Sequence, residues 1–142
     1  MRKKQQDAFK YIIPCAPVPK KNSQRIVTNQ NTGKPLIIQS ERYEAFEAYA
    51  GYFLRPKPGI DYPVNVKCIF YMPTRRRVDT VNLEEAVHDV LVTYGVLKDD
   101  SRDIIASKDG TRTFYDKENP RVEIEITPYQ GEYEQWQKVQ KE

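Results

Sequence analysis

The sequence predicts a small single α+β domain, with a mixed β-sheet packed with two main helices. Three observations predict it. Residues 63–72 and 121–126 alternate apolar and polar positions, as half-buried strands do. Residues 43–53 and 83–94 carry apolar residues at helical spacing. The chain has 142 residues, a length at which one core normally serves the whole molecule.

The elements follow in order. Residues 1–8 are polar and charged and are expected to be disordered. Residues 9–15 read as a strand, stopped by Pro14, Pro17 and Pro19. A basic loop from Lys20 to Arg25 comes next, with a hairpin expected around Asn31 to Lys34. Ser40 suits the N-cap of a helix whose apolar positions are Tyr43, Phe46, Ala50 and Phe53, and Pro56 must end it. Pro73 closes the strand over 63–72. Asp79 can cap a second helix running to about Tyr94, with Leu83, Val87, Val90, Leu91 and Tyr94 as its apolar stripe and Gly95 as its stop. Strands are expected near 103–107 and 111–116 and over 121–126. Residues 129–142 form a polar tail, so the folded domain spans 9–128.

Charge and composition exclude several classes. The chain nets +3, but residues 1–35 carry +7, residues 36–115 carry −1 and residues 116–142 carry −3. The basic N-terminal part and the run Arg75, Arg76, Arg77 offer a surface for phosphate, although a solvated cationic face has the same composition. No apolar run approaches the length of a membrane span, and no apolar stretch of a secretory signal follows the basic N-terminus. Cys15 and Cys68 are too few for a disulfide scaffold and lack zinc spacing, so they read as free thiols in a cytoplasmic protein.

The chemistry lies between Arg75 and Asp100. Helical spacing places Asn82, Glu85 and Asp89 on one face, apart from the leucine and valine stripe. Asp79 stands at the helix start, and Asp99 and Asp100 follow a loop able to fold back towards it. Hard oxygen ligands of this kind suit Mg2+, which takes one or two carboxylates and keeps water for a phosphate. Such an ion polarises a phosphodiester and activates water, while neighbouring cations bind flanking phosphates. Each aspartate alone also has a plainer role: a helix cap for Asp79, a solvated helix position for Asp89, a turn for Asp99 and Asp100.

The ordered set of motifs carries more than any one of them. It runs Val18-Pro-Lys-Lys-Asn-Ser-Gln-Arg25, Arg76-Arg-Val-Asp-Thr-Val-Asn-Leu83, Asp89, Gly95-Val-Leu-Lys-Asp-Asp100 and Pro120-Arg-Val-Glu-Ile124. In that order it resembles the RusA family of Holliday-junction resolvases over roughly residues 9–128. The resemblance implies a dimeric, Mg2+-dependent endodeoxyribonuclease of DNA recombination and repair. Such enzymes make paired symmetric cuts in a four-way DNA junction. By position, Asp79 matches the first catalytic aspartate and Asp100 the last, with Asp99 its acidic neighbour, and Asp89 matches the aspartate within the helix. All four are then expected to be catalytic and to hold the metal. Lys20, Lys21 and Arg25, the triplet Arg75, Arg76 and Arg77, and Lys108 or Arg112 are expected to face DNA, giving salt-dependent recognition of backbone shape.

Two positions depart from the family pattern. Val81 stands where a second carboxylate is usual, and Glu85 where a lysine is usual. Glu85 one turn on can restore the carboxylate, and Arg77 or Lys98 the positive charge. Alternatively, the protein binds branched DNA without cutting it; a third reading is a different metal-dependent hydrolase such as a nucleotidase. His88 is expected to be structural or solvated rather than a general base, since a metal-bound water needs no histidine. Tyr43, Phe46, Tyr49, Tyr52 and Phe53 are expected to pack in the core and at a dimer contact, with stacking on unpaired bases as the alternative.

Overall fold

The computed structural model of the chain describes residues 7–19, 24–39 and 41–129. Alternation builds its main sheet. Strand β1 (Phe9–Ile13) buries Tyr11 and Ile13. The hairpin strands β2 (Gln24–Thr28) and β3 (Pro35–Gln39) form a separate two-stranded sheet. Strand β4 (Val64–Met72) buries Val64, Val66, Cys68 and Phe70. The last strand, β7 (Arg121–Pro128), buries Val122, Ile124 and Ile126. The order is β1-β7-β4, antiparallel throughout. Two short parallel strands share the other edge of β4: β5 (Ile105–Ser107) beside Val64, and β6 (Arg112–Tyr115) beside Ile69 to Met72. The sheet is therefore mixed, as expected.

Only one face of this sheet meets the core. The other is charged: Lys10 lies 3.6 Å from Glu125, and the Arg121 guanidinium sits 3.7 Å from the Tyr71 ring centre. That division pins the register, because a one-residue slip would turn the apolar set outward.

Both expected helices cover the apolar face. Helix α1 (Glu41–Ala50) buries Tyr43, Phe46 and Ala50 and passes into a 3-10 turn over Gly51–Phe53, ending before Pro56 as expected. Helix α2 (Thr80–Thr93) buries Leu83, Ala86, Val87, Val90 and Leu91. Gly95, at φ +79°, lets the chain reverse so that Val96 and Leu97 donate to the Leu91 carbonyl at 2.9 and 3.2 Å. Leu91 is fully buried. Leu91→Ala should cost about 2–5 kcal/mol, read as a lower urea midpoint at unchanged slope.

Three expectations need adjustment. The basic loop does not run through Arg25, because β2 already begins at Gln24; the hairpin turn is closed by Asn29 Oδ1, which accepts from Asn31 N at 2.9 Å. Tyr129, assigned to the tail, is held by its N–H on the Pro63 carbonyl at 3.0 Å. Phe53 is only half-buried beyond the end of α1. Residues 1–6, the motif residues Lys20 and Lys21, the cap Ser40 and residues 130–142 lie outside the described residues. Among the described residues no helix is long and apolar enough to cross a membrane.

Candidate functional site

Asp79 has extended backbone, and its Oδ1 accepts from Val81 N at 2.9 Å, so it is the N-cap of α2. Arg75, Arg76 and Arg77 lead into it, all exposed. Two contacts dock this segment on β6. Arg75 lies 4.2 Å over the Tyr115 ring, and the Thr80 and Thr113 hydroxyls are 2.8 Å apart. Arg112, also exposed, bonds the Thr111 carbonyl at 2.7 Å. The arginine run, the capping aspartate and β6 therefore meet at one end of α2.

Along α2 the stripe beside this sheet edge is Thr80, Glu84 and His88, at i, i+4 and i+8. Glu84 is 7% exposed and accepts from Lys108 Nζ at 2.8 Å. Lys108 sits in a fixed loop, because Asp109 N donates to Asn65 Oδ1 at 2.7 Å and Asn65 Nδ2 donates back to the Asp109 carbonyl at 3.1 Å. Ser107 Oγ bonds the same Asn65 oxygen. Glu84 also reaches the centre of β4. The Cys68 thiol is pushed up to about 12, first by burial and then by Glu84, with Lys108 opposing.

His88 is structural rather than solvated. Its Nε2 is buried and, among the described residues, has no hydrogen-bond partner. Burial lowers its pKa below the ordinary 6.5; Glu84, Asp100 and Asp89 pull it upward and Lys108 downward. Asp100 and Asp89 thus both act on His88 electrostatically. Because the folded-state pKa is depressed, His88 favours the fold above 6.5 and loses that contribution as pH falls towards its folded value. The melting temperature should therefore fall between pH 7 and 5 by more in the wild type than in His88→Gln; equal slopes would contradict this.

The predicted face of Asn82, Glu85 and Asp89 does not form one site. Asn82 is buried, Glu85 exposed, and Asp89 lies in the field of the Tyr43 phenol on α1, whose pKa rises by burial, Glu47 and Asp89. Ten helical residues separate Asp79 from Asp89, about 15 Å at 1.5 Å per residue. One ion cannot be shared across that span, so the four aspartates do not make a single metal set. Among the described residues, no three His, Cys, Asp or Glu side chains gather into a metal-holding group. Asp99 and Asp100 form an exposed turn. The bond from Asp100 N to Asp99 Oδ1 at 2.7 Å, with others from Ser101, holds the Asp99 carboxyl below its usual range. The donor chemistry of Asp79, or of Asp99 with Asp100, fits a Mg2+ held by one or two carboxylates, with its other positions left to water and phosphate. A closed protein cage is not what these residues make.

Of the other expected DNA contacts, Arg25 stands on β2 opposite Ile38. Lys98 is exposed, and so is Val81. Glu84 is the residue that sequence reasoning missed. Its spacing with Thr80 and His88 was visible, but nothing in the sequence places β6 and Lys108 against that stripe.

Comparison with known proteins adds one finding. The profile of the endodeoxyribonuclease RusA family matches residues 14–127, most of the chain. A search of curated proteins found no match.

Proposed function

The chain belongs to the RusA family of endodeoxyribonucleases, and from that premise we propose that it is a Mg2+-dependent, structure-selective nuclease that resolves Holliday junctions. The observation that carries the reading is the α2 stripe. Carboxylates and cations from segments far apart in sequence converge on it, with Asp79 at one end and the Glu84–Lys108 pair along it, and with Asp100 and Asp89 in the electrostatic field of His88. Asp79 at the α2 cap, or Asp100 with Asp99 towards the far end of the helix, would hold metal; the length of α2 that parts Asp79 from Asp89 also parts it from His88, so Asp89 stays a candidate on the Asp100 side. When bound, Mg2+ supplies polarisation of the scissile phosphodiester and activation of water.

The chain's own residues do the rest. Arg75, Arg76 and Arg77 bind backbone phosphates at the α2 cap, fixing the scissile strand without reading bases. Arg112, which β6 turns to the other face of the sheet from Thr113, extends the phosphate surface there. Lys108, held by Glu84, places an ammonium where negative charge develops on the reacting phosphate. The Glu84 carboxylate keeps that ammonium from swinging into solvent. Lys108 thereby takes the place of the lysine replaced by Glu85, a role expected of Arg77 or Lys98. A junction needs two opposed cuts, so a two-fold homodimer with one site per subunit is the natural working unit.

The test is a synthetic four-way junction with Mg2+. Paired symmetric nicks leaving 5′-phosphate and 3′-hydroxyl ends, lost on chelation, are expected. One observation favours a second reading: Val81 occupies the place of a usual carboxylate and lies exposed. If the junction is bound tightly but stays intact with every divalent ion, the protein is a junction-binding member of the family.

A further inference from the structure

The aromatic residues of α1 and its 3-10 turn divide between core and surface. Tyr43 and Phe46 are buried, whereas Tyr52 is 80% exposed and Tyr49 42% exposed. Tyr52 borders a cavity of about 480 Å3 lined by Ala48, Gly51, Tyr52, Arg55 and Tyr94. That volume falls within the range of roughly 300–1,000 Å3 usual for small-ligand sites. It lies where α1 and its 3-10 turn meet the C-terminal end of α2.

The walls are held in place. Tyr94 is fixed by its hydroxyl, which donates to the Glu47 carbonyl at 2.8 Å. Gly51 is what admits the ring, since a Cβ there would lie 2.4 Å from Tyr94 Cε1. The Lys57 ammonium stands 5.4 Å from the Tyr94 ring centre, and the Pro56 carbonyl between the two cations accepts from Tyr11 Oη at 2.7 Å. From Ala48 to Ile60 the chain contains no acidic residue, only Arg55 and Lys57.

Aromatic rings with cations at their rim are what an unpaired nucleotide requires. The base has a π-face for any aromatic surface, and the phosphate needs a positive charge beside it. We propose that this cavity is a docking site for one unpaired nucleotide of DNA, its base on Tyr52 and Tyr94 and its phosphate on Arg55 and Lys57. The site is separate from the Asp79–Asp100 region and makes no contribution to bond cleavage. It rests on the DNA-nuclease reading only in taking DNA as the ligand.

The experiment measures binding of an end-labelled oligothymidylate and of a fully paired four-way junction by fluorescence anisotropy at several salt concentrations. Tyr52→Ala should weaken oligothymidylate binding by about 5- to 150-fold, the range measured for loss of one stacked base, with Tyr52→Phe close to wild type. Arg55→Gln should lower the salt slope by about one. Tyr52 is exposed, so these variants should fold, as circular dichroism would verify. Unchanged oligothymidylate binding by Tyr52→Ala overturns the proposal. So does a change of oligomeric state in that variant without a change of affinity, which would mean that a second copy covers the cavity. Junction binding by the wild type without oligothymidylate binding overturns the cavity alone; binding to neither overturns the nuclease reading as well.

Discussion

Asp100→Asn and Asp79→Asn should each reduce junction cleavage by at least about 100-fold, the scale on which loss of a single group stabilising developing charge is felt. Binding of the junction should change little. Asparagine is the informative substitution at position 79. It caps a helix about as well as aspartate, so the bond to Val81 N survives while the charge is lost. Asp79→Ala removes both and should cost about 1 kcal/mol of stability besides. The pair of variants separates the capping role, visible in the structure, from the proposed metal role. Wild-type cleavage by Asp79→Asn would leave Asp79 as a cap and nothing more.

The second large effect concerns the Glu84–Lys108 pair. Lys108→Met leaves the Glu84 carboxylate, 7% exposed, without its 2.8 Å partner. An orphaned buried acceptor costs about 1–3 kcal/mol, so the urea midpoint should drop. Adding Glu84→Met should restore most of that stability, since a well-packed apolar pair often replaces a buried ion pair without loss. Cleavage should not return in the double variant. If cleavage and stability recover together, the pair is structural only. Lys108→Arg, which keeps the charge, should retain measurable cutting.

Much of the fold was legible because its cues are local. The 2-residue period of β4 and β7, the extended aspartate before α2 and the glycine after it each act within a few residues of chain. The apolar stripe of α2 was legible for the same reason, and Leu83, Val87, Val90 and Leu91 are buried as the pattern required. The start of β2 at Gln24 was not, because Ile26-Val27 and Leu36-Ile37-Ile38 are unbroken apolar runs without the alternation that marks a half-buried strand.

The candidate site divides in the same way. Sequence alone determined that an arginine run enters a helix capped by Asp79 and that Asp99 and Asp100 follow its end. Motif order carried the family. Only the tertiary structure decided which polar stripe of α2 meets the sheet edge. The sequence offered Asn82, Glu85 and Asp89 as readily as Thr80, Glu84 and His88, since both sets flank the same apolar stripe. The choice is made by β6 pairing in parallel with β4 and by the Asn65-held loop that brings Lys108 to Glu84 across 24 residues of chain. Helical periodicity states which residues share a face; what that face meets is set by strand pairing at long range, and no local pattern encodes it.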